Sequence, residues 1–469
     1  MDILDCGVSE IAQAVKSRAL RSVDVLDAFY NRIDAVNPAL NALVQSNREL
    51  AYREAAQIDA NLGRLQDRAL LGVPFTVKNT CDVRGYRPDK GCPGLLNRPS
   101  EADASVVARL RAQGAIVLGL TNTPELSIGY ETDNVLYGRT CNPFDLSRSP
   151  GGSSGGESAI IAAGGSPLGI GSDASGSLRV PAHNTGIATL KMTQGRVPLT
   201  GHVPIDTMGL FSEFISFGPM ARYVADLIAV APLLAGPDGL DPHVPPVPWR
   251  DPAEVDLRAI RAAYYTDDGI SAASRDVVAA VADAALALRA EVSAVTERRP
   301  DVLPEMDELL SNSILLGGDE GEWLADLIRK LDLKTPSPLL LEFYELAKGC
   351  RMSVTELRWS WVRFDQCRKA MLRFMDEYDV VLCPVAATVA KPHGRSYPEI
   401  RDFSYSMCYS LVNWPSVVVR VGQSADGLPI GIQVVAKPWR EDVALAVAAR
   451  IEHVLGGYRE PRLADALQH

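Results

Sequence analysis

Ser149-Pro150-Gly151-Gly152-Ser153-Ser154-Gly155-Gly156, a short apolar run through Ser158-Ala159-Ile160-Ile161-Ala162-Ala163, and then Gly171-Ser172-Asp173-Ala174-Ser175-Gly176-Ser177-Leu178-Arg179 form the stretch that sets the reading of this chain. Nine glycines and seven serines lie between positions 151 and 177. Glycine at that density lets a backbone take positive φ and come close to a ligand. Successive N–H groups then converge on an anion or a developing oxyanion. A flexible Gly/Ser linker has similar composition. A linker has no reason to interrupt itself with a helix-like apolar run, nor to close on an Asp and an Arg bracketing a Ser.

Outward from this stretch, helix and strand alternate. Residues 9–60 read as helical, with Leu26, Phe29 and Ile33 on one face and Ser22 as N-cap. Val73-Pro74-Phe75-Thr76-Val77 and Ala115-Ile116-Val117-Leu118-Gly119-Leu120 lack polar alternation, as strands covered on both faces do, and residues 101–113 between them fit a helix. Residues 232–252 hold seven prolines and read as an irregular surface loop. Ser274 to Val295 reads as an amphipathic helix through Val277, Val281, Ala285 and Leu288. Residues 304–375 read as mainly helical and carry Trp323, Phe343, Tyr344, Trp359, Trp361 and Phe364. Such aromatics pack helices together or, as a group, line an apolar cleft. Strands return at Val380–Leu382, Val417–Val419 and Ile430–Val435, before a closing helix from Glu441 to Leu455. Strands at both ends of the chain imply one sheet built from distant segments. The expectation is an α/β fold in a single large domain over 1–469, with a mixed central β-sheet covered by helices on both faces.

Composition narrows the function. The chain has 469 residues, 47% apolar and 22% charged, enough for a core of full size. The formal charge is −11 with no Lys/Arg block, so nucleic acid and anionic membrane are not expected partners. The acidic start, Met1-Asp2-Ile3-Leu4-Asp5, is unlike a signal peptide, and no uncharged apolar run reaches the ~18 residues of a spanning helix. A cytoplasmic protein is expected. The eight cysteines form no CxxC pair and read as reduced thiols. With six histidines, no HExxH and no Cys/His cluster, no metal site is expected.

Three chemical readings compete for the glycine-serine stretch. A phosphate-binding P-loop requires a Gly-Lys-Ser/Thr ending, which is missing. A nucleophile elbow matches Gly151-Gly152-Ser153-Ser154-Gly155 as G-x-S-x-G, but the elbow follows a strand, and Asn142–Pro150 does not read as one. The third reading uses two serines and a lysine. His183 and His202 suggest a Ser-His-Asp arrangement, yet an imidazole six residues after a nucleophile reaches it only by a tight fold-back, and both read better as structural or surface histidines.

The stretch from Gly151 to Pro181 resembles the amidase signature family, whose pattern runs G-G-S-S-G-G and then G-[ST]-D-x-G-G-S-[IVL]-R-x-P. Gly72-Val73-Pro74-Phe75-Thr76-Val77-Lys78 resembles that family's lysine strand, with Asp82-Val83-Arg84-Gly85 after it. Thr121–Leu126, Gly138–Pro143 and Gly427–Gln433 fit as well. Residues 240–375 match nothing in the pattern and form a variable, mainly helical, substrate-side region; about 1–60 is an N-terminal helical part.

The resemblance implies a serine amidase without a cofactor. It places the acyl-enzyme nucleophile on Ser177, the relay on Ser153 in a cis peptide, and the base on Lys78. A serine hydroxyl needs such a base, and Lys78 needs burial to be neutral near pH 7. The backbone N–H groups of Ala174, Ser175, Gly176 and Ser177 would form the oxyanion hole. Asp173 and Arg179 would brace the loop, Ser154 would support the relay, and Ser127, Ile128 and Gly129 would edge the substrate pocket. Three positions depart from the pattern. Ser175 replaces a glycine and would be strained if its φ is positive; Asn79 stands where Asp is frequent; Arg420 stands where proline is common. The expected substrate is a small-molecule amide, apolar or aryl because of the aromatic 304–375 segment, and the same acyl-enzyme would serve esters. A homodimer is left open. The alternative is an amidotransferase component releasing ammonia in a transfer-RNA-dependent complex, and a third is an inert binding module.

Overall fold

A computed structural model describes residues 2–203 and 209–463. In chain order its strands are β1 (Leu43–Gln45), β2 (Pro74–Lys78), β3 (Ile116–Thr121), β4 (Leu168–Asp173), β5 (Ala188–Lys191), β6 (Ser216–Ala221), β7 (Arg261–Tyr264), β8 (Ala294–Glu297), β9 (Val380–Pro384), β10 (Ser416–Gln423) and β11 (Pro429–Ala436). They form one eleven-stranded sheet in the order β1-β3-β2-β4-β6-β5-β10-β11-β9-β7-β8. The sheet is mixed: β2 runs parallel to β3 and β4, and β7 to β8 and β9, while the pairs through β6, β5, β10 and β11 are antiparallel. N- and C-terminal segments therefore share one sheet, as the distribution of apolar runs predicts.

Every residue of β2, β3, β4, β9 and β11 is buried, so both faces of these strands are covered. That is why they read as continuous apolar runs. The helices are α1 (Val8–Lys16), α2 (Ser22–Leu40), α3 (Arg48–Asn61), α4 (Ser105–Ala112), α5 (Gly155–Ala162), α6 (Arg179–Thr185), α7 (Val224–Leu234), α8 (Arg275–Leu288), α9 (Leu303–Leu310), α10 (Glu322–Lys330), α11 (Pro338–Lys348), α12 (Val354–Glu377), α13 (Ser404–Leu411) and α14 (Glu441–Leu455). One group, α7, α8 and α14, packs together on β5, β6 and β9–β11; α5 and α6 pack together on β2, β4, β5, β10 and β11.

The structure corrects several local expectations. Ser22 is the first residue of α2 rather than its cap, because the N–H groups of Ser22 and Val23 donate to Asp59 of α3, at 2.7 and 3.3 Å. Residues 9–60 are not helical throughout: β1 lies between α2 and α3 and pairs with β3. The helix that begins after Ser274 ends at Leu288, and Val295 belongs to β8. The 240–375 region therefore contributes strands β7 and β8, the last two at one end of the sheet, as well as helices. Of its six aromatics, Phe364 is core, Trp359 is exposed on α12, and Trp323 and Phe343 line a cavity. The segment 142–150 carries no strand, as expected.

Candidate active site

Parallel pairing of β2 with β4 brings the site together. The register Thr76↔Gly169 and Val77↔Ile170 puts the C-terminal end of β2, which is Lys78, beside the C-terminal end of β4, which is Ser172-Asp173. The chain leaves β4 through Ala174–Leu178 and enters α6 at Arg179. Ser177 thus sits in the strand–turn–helix corner between β4 and α6, whereas Ser153 follows irregular chain and precedes α5.

Lys78 is completely buried. Its Nζ donates to Ser153 Oγ at 2.7 Å and lies 3.3 and 3.4 Å from Ser172 Oγ and O. Among the described residues no carboxylate contacts it. Burial lowers its pKa from 10.5 to about 7, and the more distant Cys81, Asp173 and Glu157 only partly offset this. Glu157, also fully buried, accepts from Thr76 and Thr121, and burial raises it to about 8. The Gly152–Ser153 peptide is cis, as the resemblance implies. Gly152 admits no side chain: a Cβ there would lie 2.5 Å from Glu131 O and 2.7 Å from Gly129 O. Ser154 donates its N–H to Ser177 O at 3.1 Å and its hydroxyl to Ser172 O at 3.3 Å, which ties the glycine loop to the β4 corner.

Ser177 and Ser153 line the same cavity, of about 890 Å³. Lys78 and Ser153 are joined by a hydrogen bond, whereas the Ser177 hydroxyl has no hydrogen bond among the described residues.

Asp173 and Arg179 form a fully buried ion pair, with Arg179 Nη2 and Nε each 3.0 Å from the carboxylate. Burial alone would raise the Asp173 pKa; the guanidinium, Lys191 and the Leu178 N–H reverse that and hold it at about 2. Arg179 also donates to Ser406 O and Ser410 Oγ, both at 2.7 Å, so it fastens the corner to α13. The Gly176 N–H turns inward onto Asp173 Oδ1 at 2.8 Å. The Gly176 N–H, expected among the oxyanion donors, is thus engaged by Asp173, and Gly176 is not among the residues that line the cavity. Ala174, Ser175 and Ser177 do line it. Gly176 has φ +129°, while Ser175 lies outside the left-handed region, so the serine at 175 carries no such strain. Tyr130 OH donates to Ser175 O at 2.9 Å.

Ser127, Ile128 and Gly129 all line the cavity. Asn79 exchanges two hydrogen bonds with Asp89, and Arg420 donates to Gly457 O. His183 pins α6 to β11 through Gly431 and to Thr388, so it plays no part at Ser177. His202 is buried rather than superficial; its Nε2 is 3.1 Å from Ser172 Oγ, and the ring lines the cavity. Sequence reading missed Ser172, Lys90 and Tyr130 at this site, because only the β2–β4 register and the return of residues 126–130 place them there.

The remaining wall is largely apolar: Ile270, Ile314 and Leu315 precede α10, Trp323 and Leu324 come from it, and Phe343 comes from α11.

The Amidase family model matches residues 24–445. The chain is 32% identical to human fatty-acid amide hydrolase 2, over 96% of this chain and 89% of that protein. It is 32% identical to an acylamidase of Rhodococcus erythropolis, over 95% and 94%. A glutamyl-tRNA(Gln) amidotransferase component of Roseiflexus sp. is 30% identical, over 95% of this chain and 96% of that one. Among solved structures, 6-aminohexanoate cyclic dimer hydrolase superposes with a TM-score of 0.86 at 25% identity, covering 99% of this chain and all of the other. The chain belongs to the amidase family, the amidase signature enzymes that act on amide bonds.

Proposed function

We propose that the protein hydrolyses a carboxylic amide through an acyl-enzyme on Ser177. The observation that carries this reading is the buried Lys78, free of carboxylate contacts among the described residues and hydrogen-bonded to Ser153, which lines the same cavity as Ser177. Neutral Lys78 takes the Ser153 proton while Ser153 takes that of Ser177, and Ser177 Oγ bonds to the amide carbon. The carbonyl electrons move to oxygen, which the N–H groups of Ala174, Ser175 and Ser177 receive. Collapse breaks the C–N bond, and the proton returns through Ser153 to the leaving ammonia or amine. Water then adds by the same relay and releases the acid. An ester with the same acyl group enters the same path.

The cavity's size and apolar wall favour an amide with a bulky apolar or aryl body. The test is a steady-state panel of arylalkyl amides against small dicarboxylic monoamides such as succinamate. Higher kcat/KM on the aryl amides supports the reading, and preference for the small diacids sinks it. The match to a glutamyl-tRNA(Gln) amidotransferase component keeps ammonia release within a complex as the second reading. Against it stand the formal charge of −11 and the absence of a Lys/Arg block for transfer RNA. Gel filtration with and without lysate separates the two: an isolated active species supports the hydrolase.

A further inference from the structure

Lys90 is a second buried lysine at the cavity, and nothing in the mechanism above uses it. It is fully buried, and its Nζ has no hydrogen-bond partner among the described residues. Its backbone is held on both sides: the Lys90 N–H donates to Asn79 O at 3.1 Å, and Leu126 N–H donates to Lys90 O at 3.0 Å. Its φ of +53° fixes the direction in which the side chain leaves the loop.

The carboxylate nearest in sequence is engaged elsewhere. Asp89 accepts from Asn79, Gly91, Gln45 and Tyr137. Glu125, on the adjoining loop, accepts from Ser337 N through Oε2, and its Oε1 has no hydrogen-bond partner among the described residues, Lys90 included. The titratable groups within electrostatic reach of Lys90 are Lys78, Cys92 and Cys81, and burial keeps both thiols protonated and uncharged, so none supplies a negative charge. His202 lies within electrostatic reach of both lysines, and its Nδ1 also lacks a partner among the described residues. Lys90 and His202, each with a buried nitrogen that lacks a hydrogen-bond partner among the described residues, thus both line the cavity that contains Ser177.

An apolar side chain would fill the Lys90 position at less cost. Cys92 and Leu126, which flank Lys90 along the chain and through a backbone hydrogen bond, belong to an apolar cluster with Leu95, Val203 and Leu324. A buried ammonium without a counter-ion is strongly disfavoured, and burial holds Lys90 at about 7. A carboxylate arriving in the cavity reverses that balance: it favours the ammonium and gains a charge-assisted hydrogen bond.

We infer that Lys90 is a specificity-determining residue that receives a carboxylate carried by the amide substrate, with the His202 ring completing the polar end of the cavity. The inference rests on the proposed Ser177 hydrolase and refines its substrate class to an amide with an apolar body and one carboxylate. That carboxylate comes from either side of the scissile bond, on the acyl group or on the amine.

The test compares kcat/KM within two matched pairs, in wild type, Lys90→Met and Lys90→Gln. For the amine side the pair is phenylacetylglycine and N-methyl phenylacetamide; for the acyl side it is 4-(carbamoylmethyl)benzoate and phenylacetamide. The expected result is that the acid-to-neutral ratio of at least one pair falls fivefold or more in both variants, with the change in KM. The pair that responds identifies the side. A smaller change in both pairs overturns the inference, as does a wild-type preference of more than tenfold for the neutral member of each pair. That wild-type comparison stands even if the variants do not fold. Fluorophosphonate labelling of Ser177 is run on every protein: labelled enzyme with an unmoved ratio refutes the role of Lys90 alone, whereas unlabelled wild type refutes the hydrolase reading beneath it.

Discussion

The titration of Lys78 is the sharpest consequence of the geometry. A lysine at its ordinary 10.5 is neutral at pH 7 in about one molecule in 3,000, and one at about 7 is neutral in about half. Burial therefore raises the fraction of usable base about a thousandfold at neutral pH. Because the base must be unprotonated, kcat/KM should rise about tenfold per pH unit below 7 and level off above it. Ser172→Ala shifts that limb in a defined direction. Ser172 Oγ accepts from the Lys78 ammonium at 3.3 Å, and removing an acceptor from a charged group costs the charged form about 1.5 kcal/mol. At 1.36 kcal/mol per pH unit the acid limb should move down by about one unit, so at pH 6 the variant loses less of its plateau activity than wild type. The assay is kcat/KM for one arylalkyl amide in constant-ionic-strength buffers from pH 5.5 to 9. A flat wild-type profile, or a Ser172→Ala limb that stays in place or moves up, refutes the reasoning.

Other consequences follow from the corner that carries Ser177. Gly176→Ala places a Cβ 3.0 Å from Ser406 Cβ at φ +129°. The displaced loop should lose oxyanion stabilisation of about 2.7–4 kcal/mol, read as a fall in kcat of a hundredfold or more with the far-ultraviolet circular dichroism retained. Arg179→Met strands the Asp173 carboxylate, and breaking a fully buried pair costs about 3–5 kcal/mol. At about 2.1 cal/mol/K per residue that lowers the melting temperature by about 3–5 °C in calorimetry; an unchanged melting point contradicts the bracing role. Lys191, whose Nζ contacts Trp414 O at 3.3 Å, is held at about 7 by burial. Between pH 7 and 10.5 the unfolded chain binds more protons at this lysine than the folded one, so its contribution makes stability rise with pH across that window. In urea unfolding, the stability of wild type relative to Lys191→Met should therefore increase from pH 7 to pH 9.5, by a few kcal/mol at about 1.36 kcal/mol per pH unit.

Sequence reading reached furthest where local pattern and chemistry coincide. The closing helix Glu441–Leu455 falls on its expected bounds, and β2, β3, β9, β10 and β11 lie on the apolar runs that announce them. Lys78, Ser153 and Ser177 stand out by motif; Ser153 and Ser177 line one cavity, and Lys78 is hydrogen-bonded to Ser153. What escaped depends on pairing across distance. The N-terminus of α2 is satisfied by Asp59, 37 residues away, so Ser22 gives a false cap signal. Strands β1, β5, β7 and β8 have only three or four residues each, too few to show a period. Ser172 and His202 join the site through the β2–β4 register and the His202–Ser172 contact, neither of which leaves a local signature. Gly176 looks like an oxyanion donor by position, yet the Asp173 carboxylate claims its N–H. The aromatics of 304–375 divide between core, solvent and cavity according to helix rotation, which composition does not record.

The most direct test of the central claim is fluorophosphonate labelling at pH 8 followed by peptide mapping, with wild type beside Lys78→Ala. The account predicts a label on Ser177 that weakens strongly in the variant. A label on Ser153, or no label on the wild-type protein, would contradict it.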